Sequence, residues 1–147
     1  MSSINIIKTE TIYEGKSRLD KITYEQTKNS GKTETHEREI FRRPNATAIL
    51  LYDTERRKVL LTEQLRLPVF LNQKKEHLLE ACAGLIDEGE LPEHSVVREV
   101  EEETGYRISH IQKRYDAYST PGAYTEYVHY FLGEYSPDLQ VSEGGGL

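Results

Sequence analysis

Glu99, Glu102 and Glu103 crowd into the short segment Pro92-Glu93-His94-Ser95-Val96-Val97-Arg98-Glu99-Val100-Glu101-Glu102-Glu103-Thr104-Gly105. On a helix, Glu99 and Glu103 are i and i+4 and share one face, about 5–6 Å apart at Cβ, with Glu102 at i+3 on its border. Glu101 points elsewhere. Carboxylates packed this closely repel one another unless a cation sits among them. Hard oxygen donors of this kind suit Mg²⁺ or Mn²⁺, which keep several waters and also bind substrate phosphates. The residues therefore ask for a divalent metal and for phosphate chemistry.

Something must hold that acidic face in place. Val96 and Val100 are i and i+4 with Val97 beside them, so one face can pack on a core while another presents acid. Pro92 stands at a first helical position with Glu93 in the first turn. Thr104-Gly105 marks the end. Gly84 and Gly89 punctuate the loop ahead of the helix.

Composition bounds the rest. A chain of 147 residues is near the usual size of one domain and can bury a sizeable core. The net charge of −6, from 25 acidic and 19 basic residues, argues against nucleic-acid and membrane-surface partners. The single cysteine, Cys82, excludes an internal disulfide and reads as a buried, inert thiol in the run Leu78-Leu79-Glu80-Ala81-Cys82-Ala83. No apolar stretch reaches 18 residues and no signal peptide is visible, so a cytoplasmic protein is expected. The five histidines have no metal-ligand spacing, and no Walker loop or serine nucleophile elbow occurs.

The remaining elements are mostly short strands. Residues 4–13, 18–26 and 34–42 alternate, with a turn at Asn29-Ser30-Gly31-Lys32, and predict an N-terminal antiparallel sheet. Pro44-Asn45 breaks the pattern. Residues 46–52 are almost continuously apolar, as in a strand buried on both faces. Further strands are predicted at 58–66, 77–83, 108–118 and 125–135. A loop containing Pro68 and Asn72-Gln73-Lys74-Lys75 separates the first two, and Ser119-Thr120-Pro121-Gly122 separates the last two. One helix among many strands, without regular alternation, predicts an α+β fold.

Gly84, Glu90, Arg98-Glu99, Val100, Glu102-Glu103 and Gly105 fall into the spacing of one known signature, with Tyr106 where an aliphatic residue is commoner. With single residue types used at roughly 5–7% each, a chance match is on the order of one in 10⁸ or rarer. The segment resembles the Nudix hydrolase signature. The resemblance implies an α/β/α sandwich around a mixed sheet, with the acidic helix on one side. It implies that Glu99, Glu102 and Glu103 bind metal together with the Ala83 carbonyl, and that Glu90 pairs with Arg98 to brace the loop.

Residues 34–147 further resemble the nucleoside diphosphate sugar branch, the ADP-ribose and GDP-mannose pyrophosphatases. His36-Glu37-Arg38-Glu39, Gln64-Leu65-Arg66, Glu80-Ala81-Cys82-Ala83-Gly84, Ser119-Thr120-Pro121-Gly122, Thr125-Glu126 and Glu143-Gly144-Gly145-Gly146 carry that likeness. Pro121, fifteen residues past Tyr106, stands where ADP-ribose-type members have a proline. The likeness implies hydrolysis of a pyrophosphate to a nucleoside monophosphate and a sugar phosphate. Arg66 would then contact phosphates, Pro121 would belong to the substrate site, and Arg38 and Glu39 would serve the nucleobase or sugar. It also implies a homodimer joined through residues 1–42, with residues 43–147 as the hydrolase domain. The alternatives are a Nudix-fold nucleotide-sugar sensor without catalysis, and a hydrolase of dinucleoside polyphosphates or oxidised nucleotides. The complete set of carboxylates stands against the first and Pro121 against the second. Related enzymes continue past the glycine run with an acidic loop that often supplies the general base, whereas this chain stops at Leu147. The chain is then a truncated form, or the base role passes to a signature residue or to a metal-activated water.

Overall fold

The computed structural model describes residues 3–145. Met1, Ser2, Gly146 of the glycine run and Leu147 lie outside the described residues. The chain divides into two compact units, one running to Pro44 and including Tyr118–Tyr127, the other built from Asn45–Ala117 and the residues from Val128 onward.

The first unit is an antiparallel sheet of β1 (Ser3–Glu14), β2 (Arg18–Thr27) and β3 (Thr33–Arg42), in that spatial order. Asp20 pins it. The Asp20 carboxylate is fully buried and accepts from Thr11 Oγ1 on β1 (3.1 Å), Arg18 Nε on β2 (2.7 Å) and Arg42 Nε on β3 (3.0 Å). The segment around Pro121 lies along β3, with Phe41 N–H donating to the Ala123 carbonyl (2.8 Å) and Thr125 N–H to the Phe41 carbonyl (3.0 Å).

The second unit contains β4 (Ala46–Asp53), β5 (Lys58–Leu60), β6 (Thr62–Leu65), helix α1 (Leu67–Gln73), β7 (His77–Glu80), β8 (Cys82–Leu85), helix α2 (Pro92–Thr104), β9 (Ile111–Tyr118) and β10 (Tyr127–Glu134). Its main sheet has the order β5-β4-β10-β9, with β8 also paired to β4. β4 runs parallel to β10 and antiparallel to β5 and β8, so the sheet is mixed. The α+β class, the mixed sheet and the N-terminal antiparallel sheet agree with expectation.

Two details differ. The strands expected at 58–66 and 77–83 each break once, at Leu61 and at Ala81. Each break lets one half stay on β4 while the other half joins the separate β6–β7 ribbon. The expected loop after Arg66 contains α1. Pro68 sits in its first turn, where a missing N–H costs nothing, and Lys74 closes it in the left-handed region at φ 60°. α1 has no buried residue, and its apolar set Leu67, Phe70 and Leu71 spans barely one turn.

Val96 and Val100 of α2 are buried against Ile49 and Leu51 of β4, Cys82, Ile108, Phe131 and Tyr135. Glu99 and Glu103 border this stripe above Cys82, while Glu102 lies further out and is exposed. Tyr106 fills its signature position by packing edge-on against Tyr135, ring centroids 5.2 Å apart. Gly105 ends α2 at φ 76°, its N–H donating to the Glu101 carbonyl (3.0 Å). Carbonyls at this end of the helix are met by a C-terminal strap. Val141 N–H donates to the Gly105 carbonyl (2.8 Å) and Gly145 N–H to the Glu103 carbonyl (3.0 Å). Among the described residues, no helix is long and apolar enough to cross a membrane.

Candidate active site

The site begins where β8 hands over to α2. Gly84 lies on β8 opposite Thr47, and Glu99 lies on the α2 face above it. A Cβ at Gly84 would overlap the Glu99 carboxylate. Ser95, fully buried one turn earlier, ties the start of α2 to β8 by donating to the Leu85 carbonyl (3.4 Å). The acid is therefore seated on bare backbone.

Arg98 gathers the loop and the helix. Its Nε donates to Glu90 Oε1 (3.1 Å) and its Nη2 to Glu90 Oε2 (3.0 Å), a two-pronged pair. Its Nη1 reaches Glu99 Oε1 (2.9 Å) and Glu102 Oε2 (3.2 Å). The sequence reading has Arg98 bracing Glu90; the structure adds that Arg98 supplies part of the counter-charge for the acidic row. The Arg98 hydrogen bonds hold the Glu90 carboxyl at about 2. Glu99 moves the other way: burial raises it, the neighbouring Glu102 and Glu103 charges add to that, and Arg98 opposes them. Cys82 is buried beneath these acids. Burial raises its thiol far above its ordinary range, and Glu103 and Glu99 push in the same direction.

Glu103 is held differently. Gln64 on β6 donates through Nε2 to Glu103 Oε1 at 2.6 Å. Oε2 of the same carboxylate is buried and takes no hydrogen bond. Glu99, Glu102 and Glu103 open on a cleft of about 1190 Å³, whose other walls include Gln64, Arg66 and Glu143. Arg66 Nε is paired with Glu80 Oε2 at 2.6 Å, which fixes its stem at the cleft wall.

The structure thus brings Glu90, Arg98, Glu99, Glu102, Glu103 and Arg66 together, with Ala83 adjoining on β8 opposite Ala48. Arg38, Glu39 and Pro121 belong to the other unit. Arg38 and Glu39 are exposed on β3 opposite Ile22 and Lys21, and Arg38 Nη1 donates to the Glu37 carbonyl (2.9 Å). Pro121 sits in a turn in which Ala123 and Tyr124 N–H donate to the Thr120 carbonyl (3.0 and 2.9 Å). Several tyrosines pack on protein rings: Tyr118 meets Tyr127 edge-on, Tyr124 lies tilted against Phe41, and Tyr130 stacks on Tyr115. Sequence reasoning missed the contact of Gln64 with Glu103. Glu143, just ahead of the glycine run, is carried by the strap to the cleft wall.

The donor set fits a hard cation: three adjacent carboxylates, one with a buried oxygen that has no donor, and a glycine cradle beneath another. Among the described residues, no three acid, imidazole or thiol groups converge at ligand distance, and Arg98 and Gln64 occupy oxygens of all three carboxylates. A cation entering here competes with Arg98 Nη1 for Glu99 and Glu102.

The chain is similar to known proteins along nearly its whole length. The family model described as the NUDIX domain matches residues 42–146, and that of the GDP-mannose pyrophosphatase NudK N-terminal domain matches residues 3–41. The chain is 38% identical over 146 residues to a GDP-mannose pyrophosphatase of Cronobacter sakazakii, covering 99% of this chain and 76% of that protein. It is 37% identical over 145 residues to the GDP-mannose pyrophosphatase of Escherichia coli K12, covering 98% of this chain and 75% of that one. Among solved structures, the crystal structure of an ADP compounds hydrolase superposes with a TM-score of 0.66 at 17% identity, covering 97% of this chain and 70% of that chain. At that identity the superposition speaks for the fold.

Proposed function

This chain belongs to the Nudix hydrolase family, and from that footing we propose that it cleaves the pyrophosphate bond of a nucleoside diphosphate sugar in a metal-dependent reaction, with GDP-mannose the first substrate to test and ADP-ribose the second. The products are a nucleoside monophosphate and a sugar phosphate. One observation carries the reading: the Glu99 carboxylate rests on Gly84 at the edge of a cleft that Glu102, Glu103 and Arg66 also line. Identity to GDP-mannose pyrophosphatases along almost the whole chain supports the choice of sugar nucleotide.

Glu99, Glu102 and Glu103, with the Ala83 carbonyl, would hold Mg²⁺ or Mn²⁺. When bound, the cation neutralises the diphosphate and activates a water for in-line attack on phosphorus. The chain's own residues do the positioning. Arg98 and Glu90 lock the loop before α2 to the helix, and the buried valines stop α2 from rotating. Arg66, steadied by Glu80, meets the phosphates. Arg38, Glu39 and the turn at Pro121 serve the base or the sugar.

A homodimer resident in the cytoplasm belongs to the same reading. Every residue of β1 is exposed, Ile4, Ile6, Ile7 and Ile12 among them, on an edge strand. An apolar edge of this kind calls for a partner, and a second copy is the simplest one.

The test is a panel assay with Mg²⁺ or Mn²⁺ on GDP-mannose, ADP-ribose, other nucleotide sugars and diadenosine polyphosphates, with product analysis. The highest kcat/KM is expected on GDP-mannose. Turnover of none of them would sink the proposal.

A further inference from the structure

We propose that Gln64 is a positioning residue for Glu103: its side-chain amide fixes one carboxylate oxygen so that the other is left bare for the cation of the cleft. The proposal rests on the metal-dependent reading above. Its basis is an asymmetry within one side chain. Glu103 Oε1 accepts from Gln64 Nε2 at 2.6 Å, while Oε2 is buried without a nitrogen or oxygen donor, and the other polar group against the carboxylate is the weakly donating Cys82 thiol. A buried carboxylate oxygen is costly to leave unmet, so Oε2 is poised for a ligand.

The three acids differ in how they are compensated. Glu99 and Glu102 both share Arg98 Nη1, whereas Glu103 has no Lys, Arg or His partner among the described residues. A lysine or arginine at position 64 would neutralise Glu103 and repel a cation. The neutral amide of Gln64 orients the carboxylate and leaves its charge intact. An amide has two donors and Glu103 offers only acceptors, which settles the direction of the bond. The main chain is fixed as well, since Gly145 N–H donates to the Glu103 carbonyl (3.0 Å). With both ends held, the free direction at Glu103 is the one along Oε2. Gln64 comes from β6, 39 residues away in the chain, and β6 is held in place by β7, with Gln64 opposite Leu78.

The experiment is a Mn²⁺ titration of the full chain, read by electron paramagnetic resonance without substrate, on wild type, Glu103→Gln and Gln64→Met. Methionine keeps the length of the side chain and removes the donor. Gln64→Met is expected to weaken Mn²⁺ binding about 10–100-fold, the usual effect of losing the group that orients a metal ligand. The melting temperature should be unchanged, and kcat on GDP-mannose should fall with little change in KM. A merely structural role would lower the melting temperature and leave Mn²⁺ affinity alone. Should Gln64→Met misfold, Gln64→Asn keeps the amide, falls short of Glu103, and should show the same loss. Unchanged Mn²⁺ affinity in a folded Gln64 variant, with the affinity lost in Glu103→Gln, would overturn the role of Gln64 alone. Absence of Mn²⁺ binding by the wild type would overturn the cation reading and this role together.

Discussion

The Glu99 carboxylate fills the space beside Gly84 that any side chain there would need. Alanine at position 84 must push the acid out of that place. A displacement of about 1 Å at a catalytic group costs on the order of 10²-fold in rate. Gly84→Ala is expected to lose about that factor in kcat while keeping its melting temperature within a few degrees of wild type. Steady-state kinetics with Mg²⁺ and a thermal melt on the same sample check it.

Removing the charge of one acid without changing its shape is a sharper cut. Glu99→Gln or Glu103→Gln is expected to lower Mg²⁺-dependent cleavage by at least about 10³-fold, matching the several kcal/mol that a metal contributes to the transition state. The fold should survive, because glutamine keeps the shape of the side chain it replaces. Near wild-type turnover in either variant would remove that residue from the site.

How much of this was legible depends on distance along the chain. α2 is legible because its apolar positions, its Pro92 start and its Gly105 stop all lie within one local stretch. The N-terminal sheet is legible from alternation and one turn. α1 is not, because Leu67, Phe70 and Leu71 remain largely exposed and Pro68 reads as a loop residue. The breaks at Leu61 and Ala81 are equally silent, since they reflect which sheet each half joins and not any local preference. In the site, the carboxylate row is local and readable, as is the i, i+4 step from Arg98 to Glu102. Gln64 meets Glu103 only because β6 folds over beside α2, and no spacing rule reports that.

Arg98 and Glu90 make a pH-dependent brace. The Arg98 hydrogen bonds lower the Glu90 carboxyl from an ordinary value of 4.5 to about 2. A folded value below the unfolded one stabilises the native state above the unfolded value, and the gain is lost as pH falls through about 2. Arg98→Lys keeps the charge and loses the fork, so the brace weakens. The acid-unfolding midpoint, followed by circular dichroism, is expected to move to higher pH in Arg98→Lys. Activity at neutral pH should fall about 10–100-fold, because Arg98 also orients Glu99.

Asp20 does comparable work in the first unit, where one buried carboxylate ties three strands. Arg18, Arg42 and Thr11 hold its carboxyl below the ordinary 3.8 against the opposing effect of burial, so its support persists until the pH drops under that value. Asp20→Asn keeps the shape and loses the charge that Arg18 and Arg42 meet. Amide exchange in β1–β3 is expected to accelerate, with exchange in β4 and α2 unchanged. Equal acceleration throughout would mean that Asp20 supports global stability and does not act as a local pin.

The apolar edge of β1 sets the last expectation. Ile4 is 66% and Ile6 56% exposed, on a strand whose outer edge has no partner strand among the described residues. A second copy covering that edge would have to bury about 800 Å² per protomer to form a stable dimer. Light scattering coupled to size exclusion is expected to give a dimer for the wild type. Replacing both Ile4 and Ile6 with lysine places like charges directly against each other across a two-fold contact and should give a monomer. The variant should keep its Mn²⁺ affinity, since Glu99, Glu102 and Glu103 all come from α2. If Arg38 and Glu39 serve the substrate bound to the partner, its KM for GDP-mannose should rise while Mn²⁺ binding holds. A wild type that elutes as a monomer at micromolar concentration would rule out the second copy as the cover for β1.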